Sequence, residues 1–258
     1  MIDLSVVIPT YNRLSKLSAT VGRLRMHLTM PHEIVVVDGG STDGTREFLA
    51  ADGGLHVVLE ARREGAVRAF NKGFRVAQGE HVMWLNDDAY PLMGSVEAAL
   101  AMLGRHESIG MVGFYHDWDR DRNVLDSVHR DGRRYSFFNV RGYPYANFGL
   151  LRRELIERVG YADERYFFFG FDPDLALKIQ IEAGLKVVGC REALVAHEEY
   201  HDDRKLSDLD AGAQDNCKLF AKWDLPEKDS YPDPQGPYFE MLSKLGIEYE
   251  RGKVPAGK

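Results

Sequence analysis

Four short runs in the first 90 positions are apolar along most of their length, and each is followed by polar turn residues. These runs are Leu4–Ile8, Ile34–Val37, Leu55–Glu60 and His81–Leu85. A strand that is apolar on both faces is typical of a parallel sheet whose two faces are covered by helices. The pattern therefore predicts four buried strands of one parallel sheet.

Between these runs, apolar residues recur three or four positions apart, which is the spacing of one helix face. The first such series comprises Leu14, Leu17, Val21, Leu24 and Leu28. Further helices are predicted toward Leu49 and over 65–79, where Gly79 closes the helix. Alternating strands and helices predict an α/β fold with a Rossmann-like first half.

The pattern changes after about position 100, where Gly, Tyr, Phe, Arg and Asp become frequent. It predicts helices over 95–105, 153–159, 171–183 and 214–223, strands near 111–115, 136–140 and 148–151, and one more strand after Gly184. Pro and Gly become frequent after Leu225. We therefore divide the chain into segments 1–100, 101–225 and a tail, 226–258, which is expected either to wrap around the domain or to lie loosely on it.

The charge balance excludes some partners. The 258 residues include 33 Lys and Arg against 40 Asp and Glu, a net charge of −7, which argues against a nucleic-acid binder. The two cysteines are far apart, and the N-terminus lacks the basic region of a signal peptide. No apolar run approaches the roughly 20 residues that cross a bilayer. We expect a cytoplasmic protein, with surface attachment to a membrane left open and the oligomeric state unknown.

Polar residues follow three of the predicted strands. They are Thr10–Asn12, Asp38–Gly40 and Asn86–Asp88, after which 89–91 is predicted to turn the chain away. Parallel sheets bind ligands at the carboxyl ends of their strands, so these turns predict a nucleotide-type pocket. Asp87 and Asp88 repel one another and resist desolvation, which fits either capping acids in a turn or ligands of a metal ion.

Four segments resemble those of GT-A glycosyltransferases, and most closely those of glycosyltransferase family 2. They are "SVVIPTYNR", "EIVVVDGGSTDGT", "NKGFRVAQGEHVMWLNDD" and "GYADERYFFFGFDPDLALKIQIEAGLKVV" with the later "ALVAHEEY". The resemblance covers about residues 3 to 200. It implies the GT-A fold, with a nucleotide-sugar-binding half in 1–100 and an acceptor-binding, catalytic half in 101–225.

The resemblance also implies an activity: inverting, metal-dependent transfer of a sugar from a nucleoside-diphosphate sugar to an acceptor hydroxyl. A UDP-sugar is the first guess for the donor. The acceptor would be a glycan, a lipid-linked group or another hydroxyl compound, in polysaccharide or glycan synthesis, with peripheral contact at the inner face of a membrane left open.

Several donor-binding residues follow from the resemblance. Pro9, Thr10 and Tyr11 would line the base and ribose, and Asp38 would accept a hydrogen bond from a ring N–H of the base. Asp38 could instead form the turn before Gly39.

Arg68 and Lys72 lie four apart on a predicted helix and so share one face. Arg68 would meet the diphosphate of the donor, whereas for Lys72 a solvated basic face is favoured.

In the segment "NDD", Asp88 would bind a divalent cation, Mn²⁺ or Mg²⁺, and Asp87 would face the ribose or sugar. Asn86 would shape the turn, and it stands where the family often has Asp. His197 would be a second metal ligand, with His201 as the alternative.

In the segment "GFDPDL", Asp172 would be the general base that takes the proton of the acceptor hydroxyl. Its alternative role is the N-cap of a helix. Phe171 stands where the family usually has Glu. The aromatic run 166–169 is either core or a surface for stacking on a sugar.

Three rival functions stay open. A nucleotidyltransferase should carry a glycine-rich phosphate loop after its first strand, and "IPTYNR" has no glycine. A non-catalytic nucleotide-sugar-binding protein would tolerate the loss of Asp172. A retaining glycosyltransferase would differ in the anomeric configuration of its product.

Overall fold

The computed structural model describes residues 2–117, 122–198, 209–225 and 234–249. In the first half of the chain, strands and helices alternate. The strands are β1 (Leu4–Thr10), β2 (His32–Asp38), β3 (His56–Leu59) and β4 (His81–Trp84). The helices between them are α1 (Leu14–His27), α2 (Thr45–Ala51) and α3 (Ala66–Val76).

These four strands are parallel, in the order β3-β2-β1-β4, which confirms the predicted parallel sheet. Thr10 pairs with Asp38, and Val7 pairs with Trp84, so the polar turns leave the sheet at one edge. Helix α3 lies so close to β1 that a Cβ atom on Gly73 would overlap Val7. A glycine is therefore required at the point where this helix crosses the sheet.

The second half adds antiparallel strands to the same sheet. Its elements are β5 (Ala89–Pro91), α4 (Ser95–Leu103), β6 (Ile109–His116), β7 (Val124–Arg130), β8 (Arg133–Val140), β9 (Tyr143–Tyr145), β10 (Gly149–Arg152), α5 (Arg153–Arg158), α6 (Phe171–Leu177), β11 (Lys186–His197), α7 (Leu209–Trp223) and α8 (Gln235–Lys244). Helix α6 continues into one π-helical turn, Lys178–Glu182. Strand β10 joins β4 to β6 in antiparallel pairing, and β11 then pairs parallel to β6. The predicted strands near 111–115, 136–140 and 148–151 are confirmed, whereas β7 and β9 were not predicted.

The prediction that 89–91 forms a turn is wrong. These residues form β5, which pairs antiparallel with β11, so that His197 lies opposite Ala89. Pro91 is tolerated because β5 is the last strand on this path of the sheet, where an N–H is not needed by a further partner. This pairing brings the end of β11 against the residue that follows Asp88.

Part of the C-terminal segment forms a helix that packs on the core. Tyr238 and Leu242 of α8 are buried in the core, and Tyr238 Oη accepts a hydrogen bond of 2.8 Å from Gly189 N. The division of the chain into 1–100, 101–225 and 226–258 stays a prediction. Of the helices in the described ranges, none combines the length and apolar character that crossing a membrane requires.

Candidate active site

A cavity of about 440 Å³ opens at the edge of the sheet where the polar turns meet. Most of the predicted site residues line it, although they come from both halves of the chain. These are Pro9, Thr10, Tyr11, Asn86, Asp87, Asp88, Asp172 and His197. The described lining residues do not include Asp38 or Arg68.

The turns after β1 and β2 are hydrogen-bonded to one another, which fixes their relative position. Asn12 has a φ of +51°, in the left-handed region that Asn tolerates better than most residues. Its backbone N–H donates to Ser41 Oγ at 2.8 Å, and its side-chain Oδ1 accepts from Thr42 N at 2.7 Å. Thr10 and Tyr11 are therefore held by a turn that is itself anchored to the next strand.

The acid pair is compensated by an arginine that sequence reasoning missed. Arg13 is buried, and its Nη1 donates to Asp87 Oδ1 at 3.1 Å and to Asp88 Oδ2 at 2.6 Å. Thr10 Oγ1 adds a hydrogen bond of 2.9 Å to Asp87 Oδ2. One guanidinium thus bridges both carboxylates, which offsets their mutual repulsion within the protein itself.

His197 approaches the acid pair from the end of β11. Its Nε2 lies 3.2 Å from Asp88 Oδ1, a fully buried oxygen that accepts no well-aligned hydrogen bond from the described residues. The backbone N–H of His197 donates to Asp117 Oδ1 at 2.6 Å, which fixes the end of the strand. The alternative ligand, His201, lies outside the described residues.

The surroundings of Asp88 stabilise its ionised form. Burial alone raises the pKa of this carboxyl, but His197 and Arg13 outweigh it and hold the pKa at about 2. Asp88 is therefore an anion at any physiological pH. Across the described ranges, no group of three or more His, Cys, Asp and Glu side chains is arranged to hold a metal ion.

Asp172 is the second residue of α6 and lines the same cavity as the acid pair. The helix is preceded by Gly170, whose φ is +82°, and no side chain caps it, so Asp172 is not the N-cap. Trp84 Nε1 donates to Asp172 Oδ1 at 3.1 Å. Burial raises the pKa of Asp172 well above its ordinary value, and the bond from Trp84 opposes this only in part.

The position of Trp84 depends on Gly149 of β10, where a Cβ atom would overlap the indole ring. Phe171, next to the predicted base, is buried and stacks on Phe70 with ring centroids 4.7 Å apart. Phe171 therefore packs in the core as well as lining the cavity.

Helix α7 is hydrogen-bonded to the aromatic run through Asp215, a contact that the sequence pattern did not reveal. The buried Asp215 Oδ2 accepts hydrogen bonds from three successive backbone N–H groups, those of Phe167, Phe168 and Phe169, at 2.9–3.1 Å. Phe168 and Phe169 line the cavity. Asp174 also binds α7, through Lys222 Nζ and Trp223 Nε1, each at 2.7 Å.

Asp38 is fully buried and its carboxylate is already bonded. It accepts hydrogen bonds from Gly40 N and Ser41 N at 3.2 Å and from Arg46 Nε at 2.8 Å. This is the turn-forming arrangement that the sequence left as an alternative. A donor-binding role for Asp38 stays a prediction.

Arg68 and Lys72 both lie next to glutamate side chains. Arg68 is exposed, and its Nε lies 3.9 Å from Glu164 Oε2, outside the cavity. Lys72 Nζ instead forms ion pairs with Glu60 at 2.7 Å and Glu64 at 3.0 Å. Binding of a diphosphate by Arg68 stays a prediction that this placement does not favour.

Comparison with protein families gives one match over most of the chain. The family described as "Glycosyl transferase family 2" matches residues 5–160. The glycosyltransferase GlyG of Streptococcus pneumoniae is 25% identical over 185 residues, which cover 64% of this chain. The aligned region spans 61% of GlyG, so the likeness extends over about three fifths of that relative.

Two solved structures share the fold. The mannosyltransferase PcManGT of Pyrobaculum calidifontis, in complex with GDP-Man and Mn²⁺, has a TM-score of 0.65 at 22% identity, over 95% of this chain and 70% of that one. Glucosyl-3-phosphoglycerate synthase of Mycobacterium tuberculosis, in complex with Mn²⁺, UDP and phosphoglyceric acid, has a TM-score of 0.63 at 18% identity, over 88% and 80%. The predicted GT-A fold is thereby confirmed.

Proposed function

We propose, from the premise that this chain belongs to glycosyl transferase family 2, that it transfers a glycosyl group from a nucleoside-diphosphate sugar to an acceptor hydroxyl. This is the family that the four sequence segments predict. A single observation carries the proposal: Asp88, His197 and Asp172, predicted from separate segments, line one cavity with Thr10 and Tyr11.

Donor binding is assigned to the side of the cavity formed by β1 and β4. Pro9, Thr10 and Tyr11 follow β1, and Asn86 and Asp87 follow β4. Thr10 and Asp87 are hydrogen-bonded to one another, so a ribose or sugar hydroxyl would meet a pair whose positions are already fixed. A UDP-sugar remains the first guess for the donor.

The residues around Asp88 fit a divalent cation. Asp88 Oδ1 is buried without an aligned donor, and His197 Nε2 lies 3.2 Å from it, so one carboxylate oxygen and one imidazole nitrogen are close neighbours at the cavity. This donor set suits Mn²⁺ or Mg²⁺, which complete their coordination with substrate phosphates and water. A bound cation would supply positive charge to the diphosphate as it leaves.

Asp172 is assigned as the general base. The acceptor oxygen attacks the anomeric carbon, the bond from that carbon to the diphosphate oxygen breaks, and the hydroxyl proton passes to Asp172. A raised pKa makes the Asp172 carboxylate a stronger base than an ordinary aspartate. A general base is most effective when its pKa lies near the working pH. One positioned base fits a single displacement with inversion of the anomeric carbon.

The acceptor is assigned by class only. Phe168 and Phe169 line the cavity, and aromatic rings suit the apolar face of a sugar. This favours a glycan or a lipid-linked glycan as the acceptor, in polysaccharide or glycan synthesis.

The experiment is a thermal-shift screen of nucleotide sugars with and without Mn²⁺, followed by NMR of the product formed with the best donor. We expect at least one nucleotide sugar to raise the unfolding temperature, more strongly when Mn²⁺ is present. The anomeric configuration of the product should be inverted. A retained configuration would contradict the proposed mechanism, and the absence of any stabilising nucleotide sugar would contradict the proposed function.

A further inference from the structure

Two carboxylates lie at the carboxyl ends of neighbouring strands. The one that lines the cavity was not predicted to be a site residue. Asp38 ends β2 and is fully buried away from the cavity, whereas Glu60 follows β3 and lines it. The backbone N–H of Glu60 donates to Asp38 O at 2.9 Å, so the two residues are direct neighbours.

The bonding of the two carboxylates differs. Both oxygens of Asp38 accept hydrogen bonds from the turn, and Arg46 adds a third donor. Glu60 Oε1 accepts one bond, from Lys72 Nζ at 2.7 Å, while the residue is only 4% exposed. Glu60 therefore keeps acceptor capacity at the cavity wall, whereas Asp38 is fully buried and is not among the described residues that line the cavity.

The wall around Glu60 suits a flat ring. Gly39 lines the cavity without a side chain, and a Cβ atom there would lie within 3.5 Å of Tyr11 and Arg63. The guanidinium of Arg63 is placed over the Tyr11 ring, 5.4 Å from its centroid. An aromatic ring and a guanidinium group beside one carboxylate are surfaces that suit a heteroaromatic base.

We infer that Glu60 selects the base of the donor nucleotide by accepting a hydrogen bond from a ring N–H. This inference rests on the proposed function. A carboxylate is an acceptor only, so it pairs with the ring N–H of uracil or guanine. Cytosine and adenine present a ring lone pair at the corresponding place, which would repel the carboxylate and leave it unsatisfied. The class of donor is thereby narrowed to uridine or guanosine diphosphate sugars.

The test is isothermal titration calorimetry of UDP, GDP, CDP and ADP in the presence of Mn²⁺, with the full-length protein. We expect UDP or GDP to bind roughly 10- to 100-fold more tightly than CDP and ADP, the range given by a hydrogen bond to a charged group. In Glu60→Gln this ratio should fall at least about tenfold, through weaker binding of UDP or GDP.

The matched control is Glu64→Gln. Glu64 forms an ion pair with the same Lys72 but does not line the cavity in the described structure, so its variant should keep the base preference. Asp38→Asn should lower the unfolding temperature while keeping the preference. If Glu60→Gln lowers the unfolding temperature strongly, Glu60→Asp serves instead, because it keeps the charge and withdraws it from the cavity.

The possible results separate the inference from the proposed function. If the wild type prefers CDP or ADP, or if Glu60→Gln and Glu60→Asp keep the preference, the inference is overturned while nucleotide binding stands. If Asp38→Asn alone abolishes the preference, Asp38 reads the base and the inference is wrong. If none of the four nucleotides binds, the proposed function fails and the inference fails with it.

Discussion

The acid pair after β4 and the lone acid of α6 line the same cavity and have opposite electrostatic surroundings. Asp88 lies between Arg13 and His197, and its pKa is about 2. Asp172 receives one hydrogen bond, from Trp84, and no basic side chain of the described residues forms an ion pair with it. Burial acts on both carboxyls, so the difference comes from Arg13 and His197, which lie against the acid pair and not against Asp172.

One cavity can therefore hold two kinds of carboxylate chemistry. A carboxylate with neighbouring cations stays ionised and is a ligand or an electrostatic partner, whereas a buried carboxyl without them becomes a better base. The roles proposed for Asp88 and Asp172 follow this division. Variants that remove one of the two carboxylates, or that change its neighbouring side chains, should therefore have measurable and different effects.

Removal of the proposed base should have the largest effect. Asp172→Asn leaves no group to take the acceptor proton, so kcat should fall by about 10²- to 10⁴-fold. Binding of the donor nucleotide, measured by calorimetry, should change little. The matched control is Asp3→Asn at the opposite end of β1, which should keep the wild-type rate. A kcat within a few-fold of wild type in Asp172→Asn would exclude Asp172 as the base.

Removal of the proposed metal ligand should come next. Asp88→Asn takes away the charge that faces the cation, and kcat should fall by about 10²- to 10³-fold, as when a single stabilising group of a transition state is lost. The wild-type enzyme should lose activity in EDTA and recover it with Mn²⁺ or Mg²⁺. Full activity of the wild type in EDTA would contradict the metal role of Asp88.

Removal of the internal counter-ion should affect stability rather than chemistry alone. Arg13→Gln leaves two buried carboxylates side by side, which should lower the free energy of unfolding by about 3–5 kcal/mol in urea denaturation with EDTA. Adding Mn²⁺ should restore part of the loss, because the cation compensates the same charges. Arg25→Gln is the control: Arg25 pairs with Asp52 at the surface, so the loss should be about 0–1 kcal/mol. Equal stability of the two variants would contradict the role given to Arg13.

Removal of the indole N–H should have the smallest effect. Trp84→Phe deletes the bond that stabilises ionised Asp172, so the pKa of Asp172 should rise further. Because the base must be ionised, the acidic limb of the pH profile of kcat/KM should move to higher pH, and the lost activity should return at alkaline pH. Trp223→Phe, whose indole bonds Asp174 away from the cavity, should leave the limb in place. A limb that moves to lower pH, or does not move, would contradict the link between Trp84 and the base.

The sequence was sufficient to predict the first half of the sheet and which turns meet at its edge. Unbroken apolar strands report burial on both faces, and parallel strands carry their following turns to one side. The strand β5 was not predictable, because Ala89–Pro91 is short, contains proline and pairs with a strand about 100 residues later. The same long-range pairing is what brings His197 to Asp88.

The directions of individual side chains were the other limit. Asp38 and Glu60 both follow buried strands, and only the packing shows that Asp38 is bonded within its turn and Glu60 lines the cavity. Arg13 stands in a polar turn whose pattern does not reveal that the side chain turns inward to both acids. The sequence predicted the helix that carries Arg68. It did not predict that Arg68 lies on a face of this helix that does not line the cavity.

The most direct test of the division between the two carboxylates is a ¹³C NMR titration of the aspartate carboxyls, in which Asp172 is assigned by the signal missing from Asp172→Asn. We predict that this signal titrates well above the ordinary aspartate value of about 3.9. In Trp84→Phe its midpoint should be higher still. A midpoint at or below the ordinary value in the wild type would contradict the assignment of Asp172 as the base of this site.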